Sequence, residues 1–448
     1  MRSQVLVCAA VVAGAAVAGG QAVAAPPTGS SGGAGTQFSA PYYFDTGTAP
    51  WVTRAGDVNR DGKPDIVTAN AGSATINGAT HLGLKGVSVL LNTTGTGAAA
   101  PSFTAPRQFV AGVGTLSVEL ADMDGDGAPE IIASNFFDTG ANGVSILRNL
   151  TPEGSATAEF ADPINLPTGA FPSLVRTIDI NADGRLDLVT GDAGIPFGLG
   201  ITVLLNASQP GGPLTFTAPT QFLGGSVAEG LAVGDINNDG LEDVLVSNTT
   251  TSNVAVLVNT TAPGSLIPTF NITEEWVVTS TDAQLADLDG DGRLDMIIAR
   301  TAGGFTVRLN RTAPGAPTAE FGEDVVGDLI GEVTRAQGTL GVVTEGLAVA
   351  DFDGDGSPDI AANNDFPIPG YSISVFTNHT PPGARTAVLS GPDGYNGSAL
   401  IIGTNSITAA DFNADGKPDL ATGNVPSLAV DDDVLVHGGI SVLMNTRP

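Results

Sequence analysis

The stretch ADMDGDGAPEIIASN, Ala121–Asn135, places Asp122, Asp124, Asp126 and Glu130 within nine residues, with Gly127 among them and an apolar run directly after. Carboxylates this close repel one another. The arrangement recurs in GDVNRDGKPDIV, whose first aspartate is Asp57, and in loops that begin at Asp179, Asp235, Asp287, Asp351 and Asp411. From Asp57 onward the intervals are 65, 57, 56, 52, 64 and 60 residues, a mean of 59. Seven copies at that spacing make a repeat architecture, so the fold is argued from one unit.

Each unit repeats one order of parts. An apolar stretch such as GLAVGDIN leads into the acidic loop, and a short β-type run leaves it: DIVTAN, EIIASN, DLVTGD, DVLVSN, DMIIAR, DIAANN, DLATGN. A variable Gly-rich loop follows, then a strand ending in Asn, such as VSVLLN, VAVLVN or ISVLMN. After a turn rich in Thr, Pro and Gly, a fourth extended piece opens on Phe, as in FTAPRQF. Short β-branched runs between turn residues, with no long helical period, predict an all-β chain.

Four strands per unit and seven units predict a seven-bladed β-propeller of four-stranded blades. The last unit stops after its third strand at Asn445, while an unattached piece of the fourth type, QFSAPYYFD, stands at residues 37–45. Pairing the two completes the last blade and closes the ring, which removes exposed sheet edges. An open solenoid is the alternative; it needs atypical capping units, and none is visible.

The acidic loop reads as a calcium site. Position 1 is Asp in every copy, position 3 Asp or Asn, position 5 Asp, position 6 Gly, position 7 variable and position 9 Asp or Glu. Side chains at 1, 3 and 5 converge if the chain curls, and Gly at 6 permits the sharp turn. A position that tolerates any side chain suits a backbone carbonyl ligand, and the carboxylate at 9 can offer both oxygens. That gives about six or seven hard oxygen donors, the number Ca²⁺ takes; Mg²⁺ needs a stricter octahedron. The candidate ligands are Asp57, Asn59, Asp61, Lys63 and Asp65 in the first loop, and Asp122, Asp124, Asp126, Ala128 and Glu130 in the second. The third offers Asp179, Asn181, Asp183, Arg185 and Asp187, and the fourth Asp235, Asn237, Asp239, Leu241 and Asp243. The fifth offers Asp287, Asp289, Asp291, Arg293 and Asp295, and the sixth Asp351, Asp353, Asp355, Ser357 and Asp359. The seventh offers Asp411, Asn413, Asp415, Lys417 and Asp419. About seven structural ions, one per blade, are expected. Positions 2 and 10, such as Val58 and Ile66, are apolar throughout and are expected to anchor the flanking strands in the core.

The pattern D-x-[DN]-x-D-G-x-x-[DE], followed by an aliphatic strand and then by a strand like SVLLN, resembles the FG-GAP/VCBS-type repeats of the integrin α-subunit propeller. The resemblance covers about residues 37–448. It implies calcium loops between strands one and two on the lower face, and ligands met on the upper face. The chain departs from integrins in having no leg domains, transmembrane helix or cytoplasmic tail, so an integrin-like heterodimer is not expected.

The formal net charge is -30, and the candidate ligand positions use 24 of the 47 acidic residues. Such a chain repels nucleic acid and anionic membrane surfaces. Residues 1–25, MRSQVLVCAAVVAGAAVAGGQAVAA, have the layout of a cleaved secretory signal. A membrane anchor is the alternative, against which stands a run that is short and interrupted by Gly. Cys8, the single cysteine, lies inside this segment, so the mature chain is expected to hold no disulfide. Residues 26–36 read as a flexible leader and residues 37–448 as the propeller. The expected place of action is outside the cell or in the periplasm, with no stable membrane insertion.

Variable loops at 70–86, 135–143, 363–371 and 424–439 fall on the face opposite the acidic loops, where binding residues are expected. Phe136, Phe137, Phe197, Phe366 and Tyr371 offer aromatic platforms to an extracellular protein or carbohydrate, or pack between blades. Asp431–Asp433 read as a solvated run. His81, His379 and His437 fall in different units, and no nucleophile elbow, zinc spacing or phosphate-binding loop is present. The expected function is non-catalytic binding or adhesion; the alternatives are a secreted polysaccharide lyase or glycosidase on the same scaffold, and a surface-assembly module. Asn92, Asn149, Asn206, Asn259, Asn310 and Asn378 each open an N-x-[ST] sequon at the end of strand three. Their common placement predicts a turn cap rather than a glycan site, since Asn445 keeps the position without the sequon.

Overall fold

The computed structural model describes residues 37–47, 50–71, 73–76, 79–82, 86–137, 143–193, 200–209, 212–224, 227–249, 252–277, 279–323, 325–327, 343–368, 371–397, 404–424 and 439–448. Apolar and small residues alternate through short strands, and these pair into seven antiparallel sheets of four strands. The inner strands are Pro50–Gly56, Thr115–Ala121, Pro172–Ile178, Ala228–Gly234, Ser280–Ala286, Thr344–Ala350 and Thr404–Ala410. Each packs against the inner strand of the next blade, and Pro50–Gly56 packs against Thr404–Ala410, so the ring is continuous. Thr53 N donates to Ser406 Oγ at 3.0 Å across that last junction.

In the first blade the order outward is Pro50–Gly56, Asp65–Asn70, Gly86–Leu90 and Arg107–Phe109, and blades two to six repeat it. In the seventh, the outer strand is Tyr42–Asp45, paired with Gly439–Leu443 from Tyr42↔Val442 to Asp45↔Gly439. The N-terminal piece therefore stands where the sequence lacks a fourth strand. Every inner strand is bulged after its first residue, as between Thr115 and Ser117.

Cores form between blades. Val58, Val67, Ala69, Val87 and Val89 of blade one pack with Val118, Ile131, Ala133 and Leu147 of blade two, all fully or almost fully buried. The apolar residues at loop positions 2 and 10 are at most 3% exposed in all seven loops, so each acidic loop is nailed to the core at both ends.

Three local features differ from the sequence reading. The 70–86 segment contains a hairpin, Ser73–Ile76 with Ala79–Leu82. The 363–371 segment is mostly strand, because Asp359–Ile368 and Tyr371–Asn378 extend past the blade as a hairpin. The fourth piece also does not begin at its Phe in five blades: Phe38, Phe103, Phe160, Phe216 and Phe321 make single bridges to the strand-three Asn, and a strand of three or four residues follows later. Pro41, Pro106, Pro163 and Pro219 intervene in four of these and cannot donate to a ladder. Phe270 has no such proline after it, and Phe270–Val277 runs unbroken.

Candidate metal loops and the opposite face

Each acidic loop folds around its first aspartate. One carboxylate oxygen accepts the N–H of the position-6 Gly at 2.7–2.9 Å, from Gly62 to Asp57 through Gly416 to Asp411. The position-5 Asp accepts the N–H of position 7 at 2.8–3.0 Å in every copy. The position-6 glycines have φ between 81° and 93°. A Cβ there would meet nothing within 4 Å, so the requirement is conformational rather than steric.

The position-9 carboxylate is buried and faces inward. One oxygen accepts the N–H of position 2 at 2.8–3.0 Å, and the other that of the strand-three Asn at 2.6–3.3 Å. Burial nonetheless pushes Asp65, Glu130, Asp187, Asp295 and Asp419 up to about 7, and Asp243 and Asp359 up to about 6. Desolvation outweighs the two hydrogen bonds, which is the deficit a nearby cation would relieve.

Three loops bring carboxylate oxygens of three residues within 4.8 Å of one another: Asp122, Asp124 and Glu130; Asp287, Asp289 and Asp291; Asp351, Asp353 and Asp355. These are the loops with Asp at position 3. Elsewhere that position is Asn, whose Nδ2 donates to the next blade's turn: Asn59 to Ser155 O, Asn181 to Ser265 O, Asn237 to Ala316 O and Asn413 to Ala98 O, at 2.9–3.0 Å. The residues fit a hard divalent ion by a second observation. Asn181 Oδ1 and Asp289 Oδ1, both at position 3, are buried without a hydrogen-bond partner. A buried bare oxygen is costly, and an ion bound there would engage it. Among the described residues, three arginines form ion pairs with aspartates of these loops. Arg148 Nε lies 2.7 Å from Asp124 Oδ2, while Arg185 and Arg293 at position 7 pair with Asp183 and Asp291.

The strand-three Asn ties one loop to the next. Its Nδ2 donates to its own loop's position-8 carbonyl and to the position-2 carbonyl of the preceding blade. The second bond runs from Asn149 to Val58 O, Asn206 to Met123 O, Asn259 to Ile180 O, Asn310 to Ile236 O, Asn378 to Leu288 O and Asn445 to Phe352 O, at 2.7–3.1 Å. Asn92 to Phe412 O, 2.9 Å, completes the circle. Each Oδ1 accepts the N–H two residues on. The sequon hydroxyls of Thr94, Thr151, Ser208, Thr261 and Thr312 each both accept from and donate to one residue across the turn. The asparagines are at most 4% exposed, so the folded protein presents no amide for a glycan there.

On the opposite face Phe136, Phe137 and Phe171 form a cluster, with Phe136 centred 5.3 Å from Phe137 and 5.7 Å from Phe171. Phe137 is 52% exposed and Val113 beside it 43%. Phe171 was not singled out by sequence. Its φ of 59° is a left-handed conformation that Gly114 occupies in the neighbouring blade. Phe197, His437 and Asp431–Asp433 lie outside the described residues, as do the side chains of His81, Phe366 and Tyr371. His379 lies instead on the rim of blade six, its Nε2 3.0 Å from Ser390 Oγ.

A ring of seven four-stranded sheets with an acidic loop after every inner strand defines a seven-bladed β-propeller built from repeats. The chain carries FG-GAP repeats: the FG-GAP-like repeat matches residues 235–298, 287–362 and 351–422, and the FG-GAP repeat residues 49–83. The first three matches begin at Asp235, Asp287 and Asp351, the first residues of acidic loops. Among solved structures, "BBS1N in complex with ARL6DN, soaked with mercury" is similar with a TM-score of 0.51 and 9% identity, covering 91% of this chain and 98% of that one. The likeness is one of fold. No curated protein matches.

Proposed function

We propose that the protein is an exported, calcium-stabilised propeller that acts as a binding module for an extracellular protein or carbohydrate. The single observation that carries the binding part is the Phe136–Phe137–Phe171 cluster: a partly buried ring group with Phe137 exposed, one member of it in a backbone conformation that costs a bulky residue about 1–2 kcal/mol. Rings packed edge-to-face beside a rigid strand end, with Phe137 exposed, offer an apolar surface to a sugar ring or an aromatic side chain. Calcium enters as the partner of the bare position-3 oxygens; when bound it would neutralise the carboxylates of each loop. Export rests on the layout of residues 1–25.

The test is a glycan and matrix-protein array probed with calcium-replete protein and with Phe137→Ala. A ligand retained by the wild type and lost by the variant is the expected result. An array without ligand, alongside turnover of a polysaccharide in solution, would replace this reading with the carbohydrate-active one.

A further inference from the structure

The inner strands also carry a charged group that the acidic loops do not involve. Arg54, Glu119 and Arg176 occupy the same position, third from the end, on the inner strands of blades one, two and three. Arg54 Nε lies 3.6 Å and Arg176 Nη1 3.5 Å from the same oxygen, Glu119 Oε2. Both contacts are longer than a good charge-assisted hydrogen bond. Each guanidinium otherwise donates from Nη1 to its own strand, Arg54 to Thr53 O and Arg176 to Val175 O.

The balancing acid is already engaged. Asp282, on the inner strand of blade five, stands near enough to interact with both arginines. Its Oδ2 accepts Leu347 N at 2.9 Å and its Oδ1 accepts Ala283 N at 2.8 Å. Arg176 is thus held in a tight setting, lowered to about 10 first by burial and then by the like charge of Arg54, against the pull of Glu119 and Asp282. At the same level the remaining blades place only Ala232, Gln284, Ala348 and Thr408. A guanidinium has five donors, and two guanidiniums sharing one carboxylate oxygen leave most of them for an acceptor in the channel.

We propose that Arg54 and Arg176 form an oxyanion site in the central channel, taking the carboxylate or sulfate group of an acidic ligand. The site lies apart from the aromatic cluster and does not depend on it. In a chain of net charge -30, a free anion would be repelled from most of the surface, so saturable binding reports a local site built on the guanidinium donors.

The experiment is calorimetric titration of the calcium-loaded protein, at low ionic strength, with sodium glucuronate, inorganic sulfate and uncharged glucose. Saturable binding of glucuronate alone points to a uronic acid, and binding of sulfate as well to oxyanions generally; either supports the site. Arg54→Gln is expected to weaken binding by about tenfold or more. Thr408→Glu keeps both arginines and sets a carboxylate on the adjoining inner strand, and it is expected to abolish binding without unfolding the protein. The proposal is overturned if neither anion binds saturably, if glucose binds equally well, or if both variants bind as the wild type does. Phe137→Ala is expected to leave the titration unchanged, which separates this site from the array result.

Discussion

Position 4 of the acidic loop is left-handed in all seven copies, at Arg60, Gly125, Ala182, Asn238, Gly290, Gly354 and Ala414. Sequence reading passed over it because the residue type varies. Only three copies use Gly, the three with Asp at position 3. Ala414 at φ 53° carries a strain that glycine would release, so Ala414→Gly is expected to stabilise the protein by about 0.5–1 kcal/mol, after the entropy that Gly adds to the unfolded chain. A lower midpoint in denaturant unfolding would contradict this backbone assignment. Asp192 is a second single-residue case. Five of the six sister blades hold Asn here, with Asn70, Asn135 and Asn424 donating Nδ2 to Ser88, Ser145 and Ser441. Asp192 is buried against the hydroxyls of Thr190 and Thr202 and is pushed up to about 7, chiefly by desolvation. Its folded form holds the proton more tightly than the unfolded chain, so its contribution to stability is greatest near pH 4, declines as pH rises and levels off above about 7. Asp192→Asn is expected to be more stable than wild type above pH 7 by about 1–3 kcal/mol, with the gain shrinking towards pH 4. Melting curves across that range check it, and a constant difference would refute it.

At the scale of elements, the strand-three Asn joins two blades with one amide. Asn259 donates to Glu242 O of its own blade and to Ile180 O of the preceding one, while its N–H reaches Asp243. Asn259→Ala leaves two carbonyls in a buried turn without donors, and should cost about 2–4 kcal/mol, each orphaned group at about 1–3. The measurement is the unfolding free energy, and a loss under about 0.5 kcal/mol would show that the junction does not depend on it. The sequence made this residue visible as a repeated N-x-[ST], and the non-sequon copy at Asn445 favoured a cap. It could not reveal the second acceptor, which lies about 80–90 residues away in most blades. Strand ends were less legible than strand centres. The hairpin at Ser73–Ile76 and Ala79–Leu82, and the long pair around Ile368, depend on pairing in Gly- and Asn-rich segments with no strong period.

For the whole molecule, the inter-blade ties and the acidic loops share residues. Gly154 N donates to Asn59 O, Gly264 N to Asn181 O and Gly315 N to Asn237 O, so position 3 of one blade's loop meets the turn of the next. Ions bound in the loops would therefore stiffen blade junctions as well as loops. Chelation with EDTA is expected to lower the melting temperature in one cooperative step and added Ca²⁺ to restore it, since an ion at about a hundred times its Kd adds about 2.7 kcal/mol per site. A melting curve unmoved by proven metal removal would remove calcium from the account.

The repeat period, the acidic loop with its obligatory Gly, and the alternating strands sufficed to establish seven all-β units, because each signal is local and was written seven times. Even the missing fourth strand was readable, as the Tyr42–Asp45 piece left over at the other end. Only the tertiary structure decided which oxygens point into each loop, which amide crosses to the next blade, and that Phe171 joins Phe136 or Arg54 faces Arg176. Those contacts join residues dozens of positions apart. A periodic sequence fixes what each unit resembles, whereas the closure of the ring fixes what each unit meets.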